Sequence, residues 1–249
     1  MKLSKVQVID DNFIQIPESI EKIYTNFEST TLSVISKHLK EGDVFLDIGA
    51  NFGFFSVLAA SIVKNDGRVF SIEAHPGILP KLKDNLKNFS NVTVIEAAVG
   101  AKSGVTEFHM TEDFVNSGVA SNPFNQKSQM ISITIDTIDN LLSQHGHSEG
   151  KVDFIKCDVQ GDEVAVLEGC SKLIEQNDDL TMIVEWAPAW MENAGYNSEK
   201  FPSFLNSLGF SKITIVDDYL KKTMSLDEML LEFESDKTGK RFCNILASK

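Results

Sequence analysis

Asp47-Ile48-Gly49-Ala50-Asn51-Phe52-Gly53 is the stretch that decides how this chain folds. The apolar run Val44–Ile48 leads into it and the apolar segment Phe54–Val63 follows, giving the order strand, glycine-rich turn, helix start. Backbone N–H groups converge at such a turn and glycine admits a close ligand, which makes it a nucleotide or anion site. Outward from it, further β-rich runs at Arg68–Glu73, Val92–Ala97, Phe154–Asp158 and Thr181–Glu185 alternate with helical patterns such as Leu79, Leu82, Leu86 and Phe89. That alternation is the signature of βαβ units and predicts a doubly wound α/β fold, a mostly parallel sheet with helices on both faces. Gly104–Met110 and Met130–Thr134 interrupt it as added strands around a polar loop containing Ser117-Gly118 and Asn122-Pro123. Beyond residue 200, Ser211–Val216 and Arg241–Ala247 read as two more strands, with a helix near Leu226–Phe233 between them, a connection compatible with an antiparallel pair. Residues 1–40 carry a helix around Ser29–Leu39 and are expected to form a helical cover on a single globular domain spanning 41–249.

The 249 residues are 42% hydrophobic, enough for a sizeable core, and contain no repeat or low-complexity linker. A net charge of −13 without a basic cluster argues against DNA or structured RNA as partner, because nucleic-acid affinity rests on Lys and Arg neutralising phosphates. Cys157, Cys170 and Cys243 are odd in number, lack CxxC spacing and lie in apolar segments, so buried free thiols in a reducing compartment are expected. No apolar run reaches about 18 residues, and the N-terminus opens none, which predicts a soluble, cytoplasmic protein without membrane insertion. Oligomeric state is not legible in these residues.

Two features choose the cofactor. A dinucleotide pattern G-x-G-x-x-G started at Gly49 would need glycine where Asn51 and Phe54 stand, so the fit to a pyrophosphate is poor. Asp47, at the strand end, would repel a pyrophosphate but attract the ammonium and sulfonium charges of S-adenosyl-L-methionine. Glu73 ends the next strand, where an acidic residue accepts hydrogen bonds from ribose hydroxyls. Asp47, Gly49, Ala50, Asn51, Gly53, Glu73, Ala74 and Ala97 are therefore the candidates for holding the donor, with Asp158 at its border.

Four ordered segments carry a wider likeness. They are the glycine loop with Glu73, then Thr137-Ile138-Asp139-Asn140-Leu141-Leu142, then Ile155-Lys156-Cys157-Asp158-Val159-Gln160-Gly161-Asp162-Glu163, then Val166-Leu167-Glu168-Gly169. Across about residues 41–188 the sequence resembles the FkbM family of methyltransferases. The resemblance implies a seven-stranded class I methyltransferase sheet with its last strand antiparallel, and O-methylation of sugars or other natural-product small molecules. The chain departs from the family's usual Glu at Gln160, and it reads Glu73-Ala74-His75-Pro76 where Glu-Pro-Asn-Pro is usual. His75 then falls at an edge beside the adenosine.

Methyl transfer to an alcohol needs an aligned oxygen and removal of its proton. Asp158, at the end of the strand expected beside the glycine-loop strand, is the first candidate for that base or for orienting the hydroxyl. Lys156 points to the same face, with a structural pairing to Asp158 as the alternative. Asp158, Glu163 and Glu185 are expected to converge, either to raise one another's pKa or to hold a divalent cation. No Asp or Asn partner stands at a fixed local spacing, so metal-free catalysis is the leading reading. Asp162 caps its helix or serves the site, and Asp139 is expected to cap the helix of Leu141 and Leu142. Trp186, Trp190 and Tyr196 form either a sugar-stacking wall or a satellite core. His38, His109, His145 and His147 read as surface residues. The competing readings are a nicotinamide-dependent oxidoreductase, for which the glycine pattern is missing, and a non-catalytic donor-binding module, which would leave the acidic set without a task.

Overall fold

The computed structural model describes residues 2–22, 28–112, 114–120, 128–148, 150–236 and 240–249. Asn122-Pro123 lies outside the described residues. The chain opens with a hairpin of β1 (Leu3–Ile9) and β2 (Asn12–Pro17), then α1 (Ser29–His38). The alternating β/α order follows as β3 (Val44–Ile48), α2 (Phe54–Val63), β4 (Arg68–Glu73), α3 (Leu79–Leu86) and β5 (Val92–Glu96). After the insertion β6 (Ala98–Val99), β7 (Gly104–Met110) and β8 (Gln129–Asp136) come α4 (Ile138–Gln144), β9 (Phe154–Cys157), α5 (Glu163–Glu168) and α6 (Ser171–Gln176). The chain ends with β10 (Thr181–Trp186), α7 (Pro188–Asn193), α8 (Phe201–Ser207), β11 (Lys212–Asp217), β12 (Lys222–Met224), α9 (Leu226–Ser235) and β13 (Cys243–Ser248).

Eight strands form the main sheet in the order β12-β11-β13-β10-β9-β3-β4-β5. β3, β4, β5, β9 and β10 are parallel, and β13 runs antiparallel between β10 and β11. The eighth strand beyond the expected seven is the three-residue β12, an antiparallel edge on β11. Side chains alternate across the sheet: Leu46, Ile48, Phe70 and Ile155 pack with Leu141, Leu167, Leu205 and Met229 from α4 to α9. Phe45, Val69, Phe154 and Ile183 face the other way, toward α1, α2 and α3. Progression reverses between β3 and β9, which is the topological switch point where ligands bind in open α/β sheets.

The first 40 residues contain the expected helix, but they also contain a hairpin, which corrects the purely helical cover. α2 is apolar nearly all round, with Phe54, Phe55, Val57, Leu58, Ala60 and Val63 buried, so the sheet can cover only part of it. The alternating residues Val6, Val8, Ile14 and Ile16 close over its outer side. β6, β7 and β8 form a separate three-stranded sheet, and residues 114–119, between β7 and β8, border the switch point. All three cysteines are buried and free. Among the described residues no helix is long and apolar enough to cross a membrane.

Candidate active site

Gly49 sits at φ +80°, and a Cβ there would stand 1.9 Å from the carbonyl oxygen of Asp158. Only glycine lets the loops after β3 and β9 approach this closely. Asn51 turns the chain at φ +52°, and its N–H donates to Glu73 Oε2 at 2.7 Å. Glu73 Oε1 accepts from His75 N–H at 2.7 Å, so the carboxylate ties the glycine loop to the end of β4. Burial raises the Glu73 pKa although backbone N–H groups oppose the shift. His75 is buried beside Phe108 and Phe114, and its Nδ1 accepts from Gly77 N–H.

A cavity of about 480 Å³ opens at the switch point, within the roughly 300–1,000 Å³ of ordinary small-molecule sites. Gly49, Ala50, Asn51, Glu73, Ala74 and Ala97 line it from β3, β4 and β5, and Lys156, Asp158 and Glu185 from β9 and β10. Three sequence candidates lie outside its wall. Gly53, at φ +88°, starts α2, where a Cβ would meet Leu82 at 2.8 Å. Asp47 lies beneath the loop, 1% exposed, its Oδ2 accepting from Ser56 Oγ at 2.6 Å. Glu163 is fully buried, its Oε1 accepting from Val159 and Gly161 N–H at 3.1 Å each, which holds the loop after β9 in shape. Burial pushes its pKa up to about 7.

Both oxygens of Asp158 are oriented: Oδ2 takes an ion pair from Lys156 Nζ at 3.1 Å, and Oδ1 accepts from Gln160 Nε2 at 2.8 Å. Gln160, at φ +66°, thus acts as a donor where a Glu could not. Burial works against the Lys156 ammonium, yet Asp158, Asp47 and Glu28 hold its pKa above the ordinary lysine value. Glu185 is 4% exposed and its Oε2 is buried without a hydrogen-bond partner. Burial, with Asp158 and Glu163 nearby, pushes its pKa well up. No group of three or more His, Cys, Asp or Glu among the described residues is arranged to hold a metal ion.

Several side chains depart from their expected places. Asp162 makes no cap bond but accepts from the Tyr196 hydroxyl at 2.9 Å. Thr137 caps α4, while Asp139 reaches Lys172 and Leu173 N–H at the start of α6, because Asp139 already lies inside its own helix. Trp186 is core, donating Nε1–H to Ser198 O; Trp190 lines the cavity. Its ring lies 5.0 Å from Phe242, which in turn lies 5.4 Å from Tyr219, and all three line the same space. Sequence reasoning missed Tyr219, Phe242, Ser56 and Glu28. Glu28 precedes α1 and its carboxyl, with Oε2 buried and unpartnered, is pushed up to about 8 by burial, opposed by Lys156. Only the acidic character of Glu28 was visible locally, with no spacing to link it to Lys156.

Residues 47–212 match the Methyltransferase FkbM domain. The chain belongs to the FkbM methyltransferase family. Its fold is that of the class I methyltransferases. Among curated proteins, this FkbM methyltransferase is similar to the hexuronic acid methyltransferase AglP of Haloferax volcanii, 26% identical over 162 residues. That match covers 64% of each chain, so the chain spans a little under two thirds of this relative's length. Among solved structures, the FkbM methyltransferase of Methylobacillus flagellatus KT superposes with a TM-score of 0.55 at 17% identity, covering 92% of this chain and 50% of that one. The precorrin-6y C5,15-methyltransferase of Geobacter metallireducens GS-15 gives 0.53 at 16% identity, over 97% and 96%. These two likenesses are of fold.

Proposed function

We propose that this methyltransferase modifies a hydroxyl of a sugar or sugar-like small molecule, with Asp158 orienting the hydroxyl and taking its proton. The observation that carries the reading is the Asp158 carboxylate at the cavity wall, aimed by Lys156 on one oxygen and Gln160 on the other. Each oxygen retains a lone pair for an incoming hydroxyl. A relative named for hexuronic acid methylation supports a sugar-like acceptor.

The residues present fit the donor. Gly49 lets the loops after β3 and β9 meet at the cavity wall, and Glu73 lines that wall beside Ala74 and Ala97. Gly49, Ala50 and Asn51 would hold the methionine end and Glu73 the ribose, with Asp47 supplying negative charge from beneath the loop. When bound, S-adenosylmethionine supplies a methyl on a sulfonium, whose sulfur leaves as a neutral thioether with the C–S electron pair. Asp158 holds the acceptor oxygen in line and receives its proton as the O–C bond forms. Glu163 keeps the Val159–Gly161 loop, and with it Asp158, in place. β1, β2 and α1 cover α2, and Glu28, just before α1, helps hold the Lys156 charge. The test is a panel of glycosides and small alcohols incubated with the donor, the product located by NMR. Methyl groups appearing on oxygen support the reading; methylation confined to carbon or nitrogen rejects it.

A further inference from the structure

The cavity wall is electrostatically unbalanced. Glu73, Asp158, Asp162 and Glu185 line it, against Lys156 as the ammonium among the lining residues. Glu73 is bonded by two backbone N–H groups, Asp158 by Lys156 and Gln160, and Asp162 by the Tyr196 hydroxyl. Glu185 differs from these three: it is 4% exposed, lines the cavity, and leaves Oε2 buried without a partner. Burying a carboxylate without a partner is costly, so a group that belongs to the bound state is the natural complement. The donor brings a net single positive charge, which falls short of the wall's excess of carboxylates. Arg241 is turned to other uses, its guanidinium paired with the fully buried Asp217 at 2.5 Å and lying over the Tyr219 ring at 4.5 Å.

Position and surroundings narrow the missing group further. Val184 pairs with Cys157 in the parallel register of β10 and β9, so Glu185 and Asp158 are the next residues on adjacent strands, about 4.8 Å apart in the backbone. One sugar ring is large enough to meet both. The aromatic residues Trp190, Tyr219 and Phe242 line the same cavity, and aromatic faces attract cations and stack on sugar C–H surfaces.

Resting on the hydroxyl-acceptor reading above, we propose that the acceptor is an amino sugar or similar amino alcohol, whose protonated amine pairs with Glu185 while a hydroxyl of the same ring faces Asp158. An anionic sugar would meet carboxylates on this wall, and a neutral one would leave Glu185 unpaired. Pairing with Glu185 also keeps the amine protonated, so it has no lone pair to attack with, and the methyl goes to oxygen.

The experiment uses the full chain saturated with S-adenosylhomocysteine and titrates three probes by calorimetry near pH 7: methyl glucosaminide, methyl glucoside and methyl glucuronide. The glucosaminide is expected to bind about tenfold or more tighter than the others, the gain of one charge-assisted pair. E185Q, checked for a native melting curve, is expected to lose most of that preference, with the glucoside as internal reference. Equal or weaker binding of the glucosaminide, no binding of it, or a preference that survives in E185Q overturns the proposal. With S-adenosylmethionine as donor, product NMR separates the two readings. A preferred glucoside methylated on oxygen overturns the amine and leaves the hydroxyl reading standing, whereas methylation of nitrogen overturns both.

Discussion

At the scale of single residues, Asp158 and Glu163 are both acidic but differ in their tasks. Asp158→Asn keeps the shape and the contact with Lys156 but cannot take a proton. Its kcat is expected to fall by about 10²–10⁴, while calorimetry finds S-adenosylhomocysteine affinity near that of the parent; an unchanged kcat removes Asp158 from the mechanism. Glu163 makes a prediction about stability and pH. Its folded pKa, about 7 against an ordinary 4.5, means that its proton favours the folded state fully below the ordinary value. That help is lost as pH rises through the folded value, where a buried charge must form. Glu163→Gln can still accept from Val159 and Gly161 N–H through Oε1 and carries no charge. Its urea-unfolding free energy is expected to fall less than that of the parent between pH 5 and 9, by about 2 kcal/mol; parallel pH profiles would contradict this.

At the scale of elements, helix α1 is capped from far away. Glu28, its N-cap residue, makes no side-chain cap bond. Asp218 does the work instead, accepting from Thr30 N–H at 2.7 Å, Thr31 N–H at 3.2 Å and the Thr31 hydroxyl at 2.5 Å. Asp218→Ala is expected to cost about 1–2 kcal/mol, read as a lower urea midpoint; no loss would mean that α1 is held by its apolar face alone. The turn between β3 and α2 makes a harsher demand. Gly49→Ala places a Cβ against the Asp158 carbonyl at a φ of +80° and is expected to cost about 2–4 kcal/mol. Because relief requires the two loops to part, donor affinity measured by calorimetry should fall with it; a stable variant with unchanged affinity would show that the loops tolerate separation.

At the scale of the whole molecule, the cavity joins strands from both sides of the switch point, so a ligand there should stabilise the entire sheet. At a concentration of S-adenosylhomocysteine about 100 times its Kd, the gain is about 2.7 kcal/mol, which for a chain of this size is roughly 5–10 °C in Tm. A scanning-calorimetry shift within error would place the ligand elsewhere. The sequence alone determined the parallel strands, the glycine turn, the family and the grouping of Gly49, Ala50, Asn51, Glu73, Ala74 and Ala97, which the structure places on one cavity wall. Those are set by local causes: a period of two or 3.6, a positive φ, a strand end beside a turn. Only the tertiary structure decided that Asp47, Gly53 and Glu163 stand outside the cavity wall, that Asp139 caps a neighbouring helix, and that β1 and β2 cover α2. Only it brought Glu28, Asp218, Tyr219 and Phe242 to one end of the sheet and left Glu185 without a partner. Such meetings join residues up to about 200 positions apart, and they follow from how the layers pack, which leaves no period or spacing in the chain to read.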